Sequence, residues 1–176
     1  MLKDLIIGSH VSFARAGVDV GGVIPSRTVM PTSDADYTSL GCAEDYEPKV
    51  DKEYIERRCP KTGGGKFRTR KKIPIKHSQV MAFSMQEWSK LTLVELLHNA
   101  ETPNAAGEFV PNSRDEAVEG WLHVQNYDQN DDKILDMHVY VSLDVESYKF
   151  GENLDPYALM AEVLSSELND GLATNL

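Results

Sequence analysis

Apolar and polar residues alternate most clearly in two adjacent segments, 119–127 and 134–148. In the second segment every other residue is apolar: Leu135, Met137, Val139, Val141 and Leu143. A period of two predicts β-strands with one buried and one polar face. The connection 128–133 is rich in Asp and Asn, which favour turns, so the two segments are expected to form an antiparallel hairpin.

The register of this hairpin is constrained because both of its faces must remain consistent. A shift by one residue would move the apolar set of one strand to the polar face. The predicted cross-strand pairs are Leu122–Val139, Val124–Met137, Trp121–Tyr140 and His123–His138.

A second, longer hairpin is predicted over residues 47–83. Charged residues separate the evenly spaced Tyr46, Val50 and Tyr54, which predicts a strand from about 47 to 58. Residues 59–66 contain one proline and three consecutive glycines and predict a turn. Strand character resumes over 67–83.

Two helices are predicted to flank these strands. Ser84 and Glu87 form a capping box before a leucine-rich segment, which predicts a helix at about 85–99. Asp155–Pro156 has the composition of a helix start, so a C-terminal helix is expected at about 156–169.

The N-terminal part of the chain predicts a short strand over 9–15 followed by an irregular arm over 17–36. The arm contains three glycines and two prolines and has no clean period. An irregular stretch of this length is commonly held by a partner. With 176 residues, the chain as a whole fits one domain, residues 1–176.

Charge is distributed unevenly. The net charge is −10, yet residues 57–76 contain nine basic residues and no acid, whereas residues 99–176 contain three basic and 16 acidic residues. Such polarity is suited to binding nucleic acid or other copies of the chain. No apolar run is long enough to span a membrane and no signal-peptide pattern is present, so a cytosolic protein is expected.

Motifs for metal and cofactor chemistry are incomplete. Thr62–Lys66 lacks the hydroxyl residue of a phosphate-binding loop, and Asp128, Asn130 and Asp132 lack the glycine and glutamate of a calcium loop. His123 and His138 supply two ligands, too few for a stable metal site, and are interpreted as a partly exposed polar pair. No cofactor, metal or catalytic residue is therefore predicted, and we expect a protein that is not an enzyme.

The order of features from residue 37 resembles a known family. Tyr-Thr-Ser-Leu-Gly at 37–41 is followed by an acidic segment, a charged strand, the basic glycine-rich hairpin, a long strand to residue 83 and the Ser-x-x-Glu-capped helix. This order, over about 37–150, is similar to the tail tube proteins (major tail proteins) of long-tailed bacteriophages, whose architecture the type VI secretion tube proteins share.

The resemblance implies a mostly β fold with flanking helices, an antiparallel β-sandwich or β-barrel. It also implies a structural virion protein whose hexameric rings stack into the tail tube through which double-stranded DNA passes. The implied partners are other copies of the chain, the tape measure and terminator proteins, and in some phages a sheath. The implied location is the virion tail, and the host cytoplasm during assembly.

Two sets of residues are candidates for this function. Contacts between subunits and rings are expected of the basic hairpin, through Arg57, Arg58, Lys66, Arg68, Arg70, Lys71 and Lys72. The polar face of 134–148 is expected to line the lumen, because an acidic wall would repel passing DNA. Its residues are Asp136, His138, Tyr140, Asp144 and Glu146.

Two other functions remain open. One is a neck or tail-terminator protein with the same fold that forms a single ring. The other is a nucleic-acid-binding module that uses residues 57–76, whose DNA binding would be sensitive to salt.

Overall fold

A computed structural model describes residues 8–60, 67–128, 130–146, 156–166, 168 and 174–175, with only the backbone described at 55–60, 67–77 and 174–175. Its strands are β1 (Gly8–Arg15), β2 (Thr38–Pro60), β3 (Phe67–Met85), β4 (Val118–Tyr127), β5 (Lys133–Val145), β6 (Tyr157–Val163) and β7 (Thr174–Asn175). A single turn of 3-10 helix spans Asp34–Asp36, and one short helix, α1, spans Leu91–Leu97.

Six of the strands close into an antiparallel barrel. The neighbours run in the order β4-β1-β2-β3-β6-β5, and β5 also pairs with β4, which closes the cylinder. Strand β7 adds a short pairing to β5 at Met137 and His138. The prediction of a mostly β, antiparallel fold is therefore confirmed, in its barrel form.

The predicted register between β4 and β5 is confirmed. All four pairs occur: Leu122–Val139, Val124–Met137, Trp121–Tyr140 and His123–His138. The register shifts by one residue near the turn, so that Tyr127 lies opposite Lys133.

The barrel interior holds the main core. Buried side chains from every strand of the barrel meet there, among them Phe13, Leu40, Phe83, Leu122, Val139 and Leu159. The predicted inward residues of β5 belong to this core, with Leu135 only partly buried at one end. The alternation in β5 therefore predicts its packing correctly.

A smaller core lies outside the barrel, between β1, β4 and β5 and the arm. Trp121 and Tyr140 pack there against Tyr37 and Ala14. The Trp121 indole N–H donates to the carbonyl oxygens of Ser26 (2.8 Å) and Val29 (3.0 Å). The arm therefore folds back over the outer face of its own barrel.

The predicted C-terminal helix is wrong, because the segment forms strand β6 instead. Tyr157, Leu159 and Ala161 are buried and alternate with more exposed residues. β6 pairs with β3 on one side and β5 on the other. These two long-range pairings complete the barrel and outweigh the local capping signal. The predicted cap Asp155 and the predicted stop Gly171 lie outside the described residues.

The predicted helix at 85–99 is much shorter than expected. Ser84 lies in β3, opposite Ala158 of β6, so it is unavailable as a helix cap. Helix α1 covers only Leu91–Leu97, with π-type hydrogen bonding. Lys90, directly before α1, makes no side-chain cap, but the Ser89 hydroxyl accepts a hydrogen bond from the Thr92 N–H at 3.0 Å.

Candidate assembly surface and a buried histidine–aspartate cluster

The predicted strands of the 47–83 hairpin are present as β2 and β3, which extend beyond the barrel. The predicted turn at 59–66 begins too early, because Cys59 and Pro60 still pair with β3, and residues 61–66 lie outside the described residues. β2 pairs with β1 only through Thr38–Ala43, and β3 pairs with β6 only through Val80–Met85. Among the described residues, 50–60 and 67–79 pair with each other alone. At 3.3 Å per residue, this two-stranded ribbon is about 35 Å long.

The described side chains of the ribbon on strand β2 are exposed, whereas those of Ser78 and Gln79 on β3 are half-buried. Residues 47–54 are all exposed, and they include Val50 at 50% and Tyr54 at 46%. A two-stranded ribbon without a covered apolar face is marginally stable by itself. The ribbon is therefore a surface that a partner would stabilise.

The basic residues predicted for assembly lie at the far end of this ribbon. The backbone register places Arg57 opposite Lys71, Arg58 opposite Thr69 and Arg68 opposite Cys59. Lys72 lies opposite Glu56, and Arg70 lies within the same strand as Lys71. Their side chains and the whole of Lys66 lie outside the described residues.

The predicted polar face of β5 divides into two parts. Asp144 and Glu146 are exposed, as a channel wall requires. Asp136 is only partly exposed, and His138 and Tyr140 are buried at 6% and 3% exposure because the arm covers them. In the single chain the arm covers His138 and Tyr140, which contradicts the expectation that these two side chains line a lumen.

The covered part of this face holds a compact polar cluster. The imidazoles of His123 and His138 stack with centroids 4.1 Å apart and planes 12° from parallel. Asp136 Oδ1 lies 2.5 Å from His123 Nε2 and 3.9 Å from His138 Nε2. The histidines are buried, so the interpretation of a partly exposed pair is wrong.

The arm, and Tyr37 directly after it, contribute the other contacts of the cluster. The Tyr37 hydroxyl is hydrogen-bonded to His138 Nδ1 at 2.9 Å, and Asp34 Oδ1 lies 3.8 Å from His123 Nδ1. Burial, followed by Asp34 and Asp36, raises the pKa of Tyr37, so its hydroxyl stays protonated at neutral pH.

Neighbouring groups set the protonation states of Asp136 and His138. Burial alone would raise the pKa of Asp136, but hydrogen bonds from Lys133 and His123 outweigh it and hold that pKa below its usual value. Burial, and next to it His123, lowers the pKa of His138. At neutral pH Asp136 is therefore an anion, and His138 is a neutral imidazole with an available lone pair.

Part of this cluster could be predicted from the sequence. The predicted register placed His123 opposite His138, and Asp136 is the diagonal neighbour of His123 on the same face. Tyr37 and Asp34 come from the arm, which has no periodic pattern. Their position is set by tertiary contacts such as those of Trp121.

The calcium-like segment serves the turn between β4 and β5. Asp128 Oδ1 accepts hydrogen bonds from the backbone N–H groups of Asn130 at 2.7 Å and Asp132 at 2.9 Å. These bonds lower the pKa of Asp128. The carboxylate thus stabilises the turn itself, which explains the spacing of the acidic residues.

A cleft of about 880 Å³ lies at the opposite end of the arm, near Arg15 and Arg114. Arg15 forms an ion pair with the buried Glu95 of α1, and Arg114 donates to the Glu95 carbonyl oxygen. Burial, with the nearby Arg15, lowers the pKa of Arg114. These contacts attach α1 and the loop before β4 to the barrel.

In the part of the chain that the structure describes, no helix has the length and apolar character needed to cross a membrane. Comparison with models of protein families found no match. Comparison with curated protein sequences likewise found none.

Proposed function

We propose that this chain is a structural protein that assembles with copies of itself into stacked rings, as tail tube proteins of long-tailed bacteriophages do. The proposal includes six subunits per ring, a channel that conducts double-stranded DNA and a location in the virion tail. It assigns no catalytic step. The tape measure, terminator and sheath proteins are the further partners that it implies.

The observation that carries the proposal is the ribbon formed by residues 50–60 and 67–79. It extends beyond the barrel, pairs with no other strand among the described residues and exposes Val50 and Tyr54. A closed barrel offers few free edges, so the ribbon is the main unpaired β-surface of the described chain. Docking on a neighbouring subunit would cover its apolar side chains.

Charge supports a second copy of this chain as the neighbour. The ribbon end and its tip contain nine basic residues within 57–76, whereas residues 99–176 contain 16 acids and three basic residues. Contact of one subunit's ribbon with the acidic part of the next is head-to-tail, and a contact of that type propagates into rings or filaments. Exposed ion pairs contribute only about 0–1 kcal/mol each, but a ring repeats each pair.

The exposed acids Asp144 and Glu146 fit the channel part of the proposal. An acidic wall would not hold DNA by releasing counterions, as a basic wall would. In this proposal the lumen is lined by the exposed end of β5, beyond the part that the arm covers.

Sedimentation velocity and negative-stain microscopy over a range of protein concentrations test the proposal. The full chain is expected to form hollow rings or tubes as its concentration rises, and high salt is expected to weaken them. A variant lacking Thr62–Lys66 is compared with the full chain. The deletion leaves one residue between the paired Pro60 and Phe67, so the variant also opens the outermost strand pairs while it leaves the barrel untouched. It is expected to stay a folded monomer.

The same experiment separates the alternatives. Rings that never stack at any concentration would favour a neck or terminator protein. A monomer that binds duplex DNA in a salt-sensitive manner would favour the nucleic-acid-binding module. Normal tubes from the shortened variant would contradict the assembly role of the hairpin.

A further inference from the structure

Three side chains of metal-binding type converge on the outer face of the barrel, beneath the arm. His123 comes from β4, and Asp136 and His138 come from β5. One donor atom from each can be chosen so that all three lie within 4.8 Å of one another. The donors come from two paired strands in the centre of the barrel wall, so their backbones are held in fixed positions.

We propose that His123, Asp136 and His138 form a binding site for a divalent transition-metal ion of the zinc type, completed by water. Two imidazoles and a carboxylate form a ligand set that zinc and its neighbours in the first transition series accept. The half-closed setting also fits, because Asp136 retains 16% side-chain exposure through which an ion and a water molecule can enter.

The donor distances are close to those that a bound ion requires. Tetrahedral zinc with bonds of about 2.0–2.1 Å places its donor atoms about 3.3 Å apart. Asp136 Oδ1 lies 2.5 Å from His123 Nε2 and 3.9 Å from His138 Nε2. Each of these two separations differs from the required one by less than about 1 Å. The donor atoms of the two histidines lie within 4.8 Å of each other, so side-chain rotation must bring the set together around an ion.

The group behind His138 presents the correct nitrogen of that ring to the ion. Tyr37 is hydrogen-bonded to His138 Nδ1, and its hydroxyl can accept the proton of that nitrogen. Nε2 then keeps its lone pair for the metal. The two rings stack with planes 12° from parallel, so a rotation of one ring is needed before both lone pairs point at one ion. At His123 the Nε2 group donates to Asp136, so an ion there would take the place of this proton. The proton can move to Nδ1, where the carboxylate of Asp34 lies 3.8 Å away and must approach to accept it.

Lys133 opposes the ion and offers a second way to test the site. Its ammonium group donates a hydrogen bond to Asp136 Oδ2, so that Oδ1 is the oxygen that faces the histidines. The positive charge repels a metal ion and competes for the carboxylate. Because the Lys133 side chain is 41% exposed, it can be replaced without disturbing the core.

Isothermal titration with Zn²⁺ at pH 7.5, on the untagged full chain, tests the proposal. The wild type is expected to bind one ion, and Asp136→Asn is expected to weaken binding at least tenfold. Lys133→Gln is expected to tighten binding, since it removes the repulsion while it keeps all three ligands. His98→Gln is the matched control, because His98 is exposed and lies apart from the cluster.

A measurement on the wild type keeps the test independent of mutant folding. Addition of Co²⁺ is expected to give the intense visible absorption of a four- or five-coordinate ion, and its displacement by Zn²⁺ to abolish it. In NMR spectra the imidazole signals of His123 and His138 are expected to shift, and that of His98 to stay. Absence of saturable binding up to 100-fold excess zinc, or equal affinity of wild type and Asp136→Asn, would overturn the proposal.

Discussion

The Tyr37 hydroxyl and His138 Nδ1 lie 2.9 Å apart and form a hydrogen bond between residues that are 101 positions apart in the sequence. Tyr37 closes the arm and His138 lies in the middle of β5, so this bond joins the arm to the barrel. Both side chains are buried, and loss of one partner would leave the other without this hydrogen bond.

Replacement of Tyr37 by phenylalanine tests this joint. We expect Tyr37→Phe to lower the free energy of unfolding by about 1–2 kcal/mol, measured by urea denaturation, because the imidazole nitrogen loses its partner. If the arm opens locally, trypsin cleavage after Arg27 should accelerate by about fivefold to thirtyfold. Ile24→Ala, at a residue of the arm that is 58% exposed, is the control and should change stability by less than about 0.5 kcal/mol. Equal stability and equal cleavage rates of the two variants would mean that the Tyr37–His138 hydrogen bond does not hold the arm on the barrel.

Gly41 marks the point where β2 changes register against β1. Val11 lies opposite Gly41 and Ser12 lies opposite Ser39, so Leu40 is the extra residue of a bulge. Gly41 has a φ of +110°, and a Cβ there would approach the Glu87 Cβ to 2.6 Å. The glycine that ends the Tyr-Thr-Ser-Leu-Gly segment therefore has a conformational and a steric reason.

Gly41→Ala is expected to destabilise the protein by about 1–3 kcal/mol in thermal or urea unfolding. Gly8→Ala in β1 is the control, because a Cβ at Gly8 would meet nothing closer than the Ala43 carbonyl oxygen at 3.8 Å. A Gly41→Ala variant as stable as Gly8→Ala would show that the bulge adapts freely.

The turn at Asp128 predicts a dependence on pH. Its carboxylate has a pKa below the ordinary value near 3.8, because backbone N–H groups bind its charged form. The Asp128 carboxylate binds a proton more readily in the unfolded chain than in the folded one. Its negative charge therefore stabilises the fold above pH 3.8, and this stabilisation is lost as the pH falls through the lowered pKa of the folded chain. Asp128→Asn should therefore melt at a lower temperature than wild type at pH 7, and the difference should narrow on acidification.

Thermal melts from pH 3 to pH 7 measure this effect. Asp131→Asn removes an equal charge from the same turn and controls for the general charge of the chain. A constant difference between wild type and Asp128→Asn across this range would exclude the proposed role of the ionised carboxylate.

The sequence predicted the parts of the fold in which local pattern and tertiary pairing agree. In β4 and β5 a strict alternation allowed one register, and that register placed His123 beside His138. In 157–163 two patterns coexist: Tyr157, Leu159 and Ala161 alternate, while Tyr157, Met160 and Leu164 have helical spacing. The choice between them depends on β3 and β5, which lie far away in the sequence.

For the covered site as well, the sequence predicted only what strand pairing determines. Strand register was sufficient to place Asp136 near His123, since both follow from one pairing. The burial of His138 and Tyr140 depends on the arm, and nothing in its Gly- and Pro-containing sequence predicts which face it covers. The arm is located by specific bonds, among them those from Trp121 to Ser26 and Val29.

The exposed apolar residues of the ribbon lead to a direct test of assembly. Val50 is 50% exposed and lies opposite Gln79, where the ribbon leaves the barrel. In the proposed ring this side chain is buried against a neighbour. Because Val50 is already half-buried in the single chain, its complete burial adds about 1 kcal/mol, roughly half the gain of a fully exposed valine. Val50→Asp should replace that gain with the cost of a desolvated charge. We therefore expect assembly, followed by sedimentation velocity, to require at least tenfold more protein.

The control for this prediction must carry the same charge at a valine that is at least as exposed. Val110→Asp meets that condition, because Val110 is 68% exposed in the loop before β4, away from the ribbon. Both variants are expected to melt as monomers within a few degrees of wild type, since neither residue packs in the core. If Val110→Asp assembles normally while Val50→Asp stays monomeric, the ribbon forms the contact between subunits. If both variants assemble at the wild-type concentration, the base of the ribbon at Val50 is not an interface, and the proposed ring needs another contact surface.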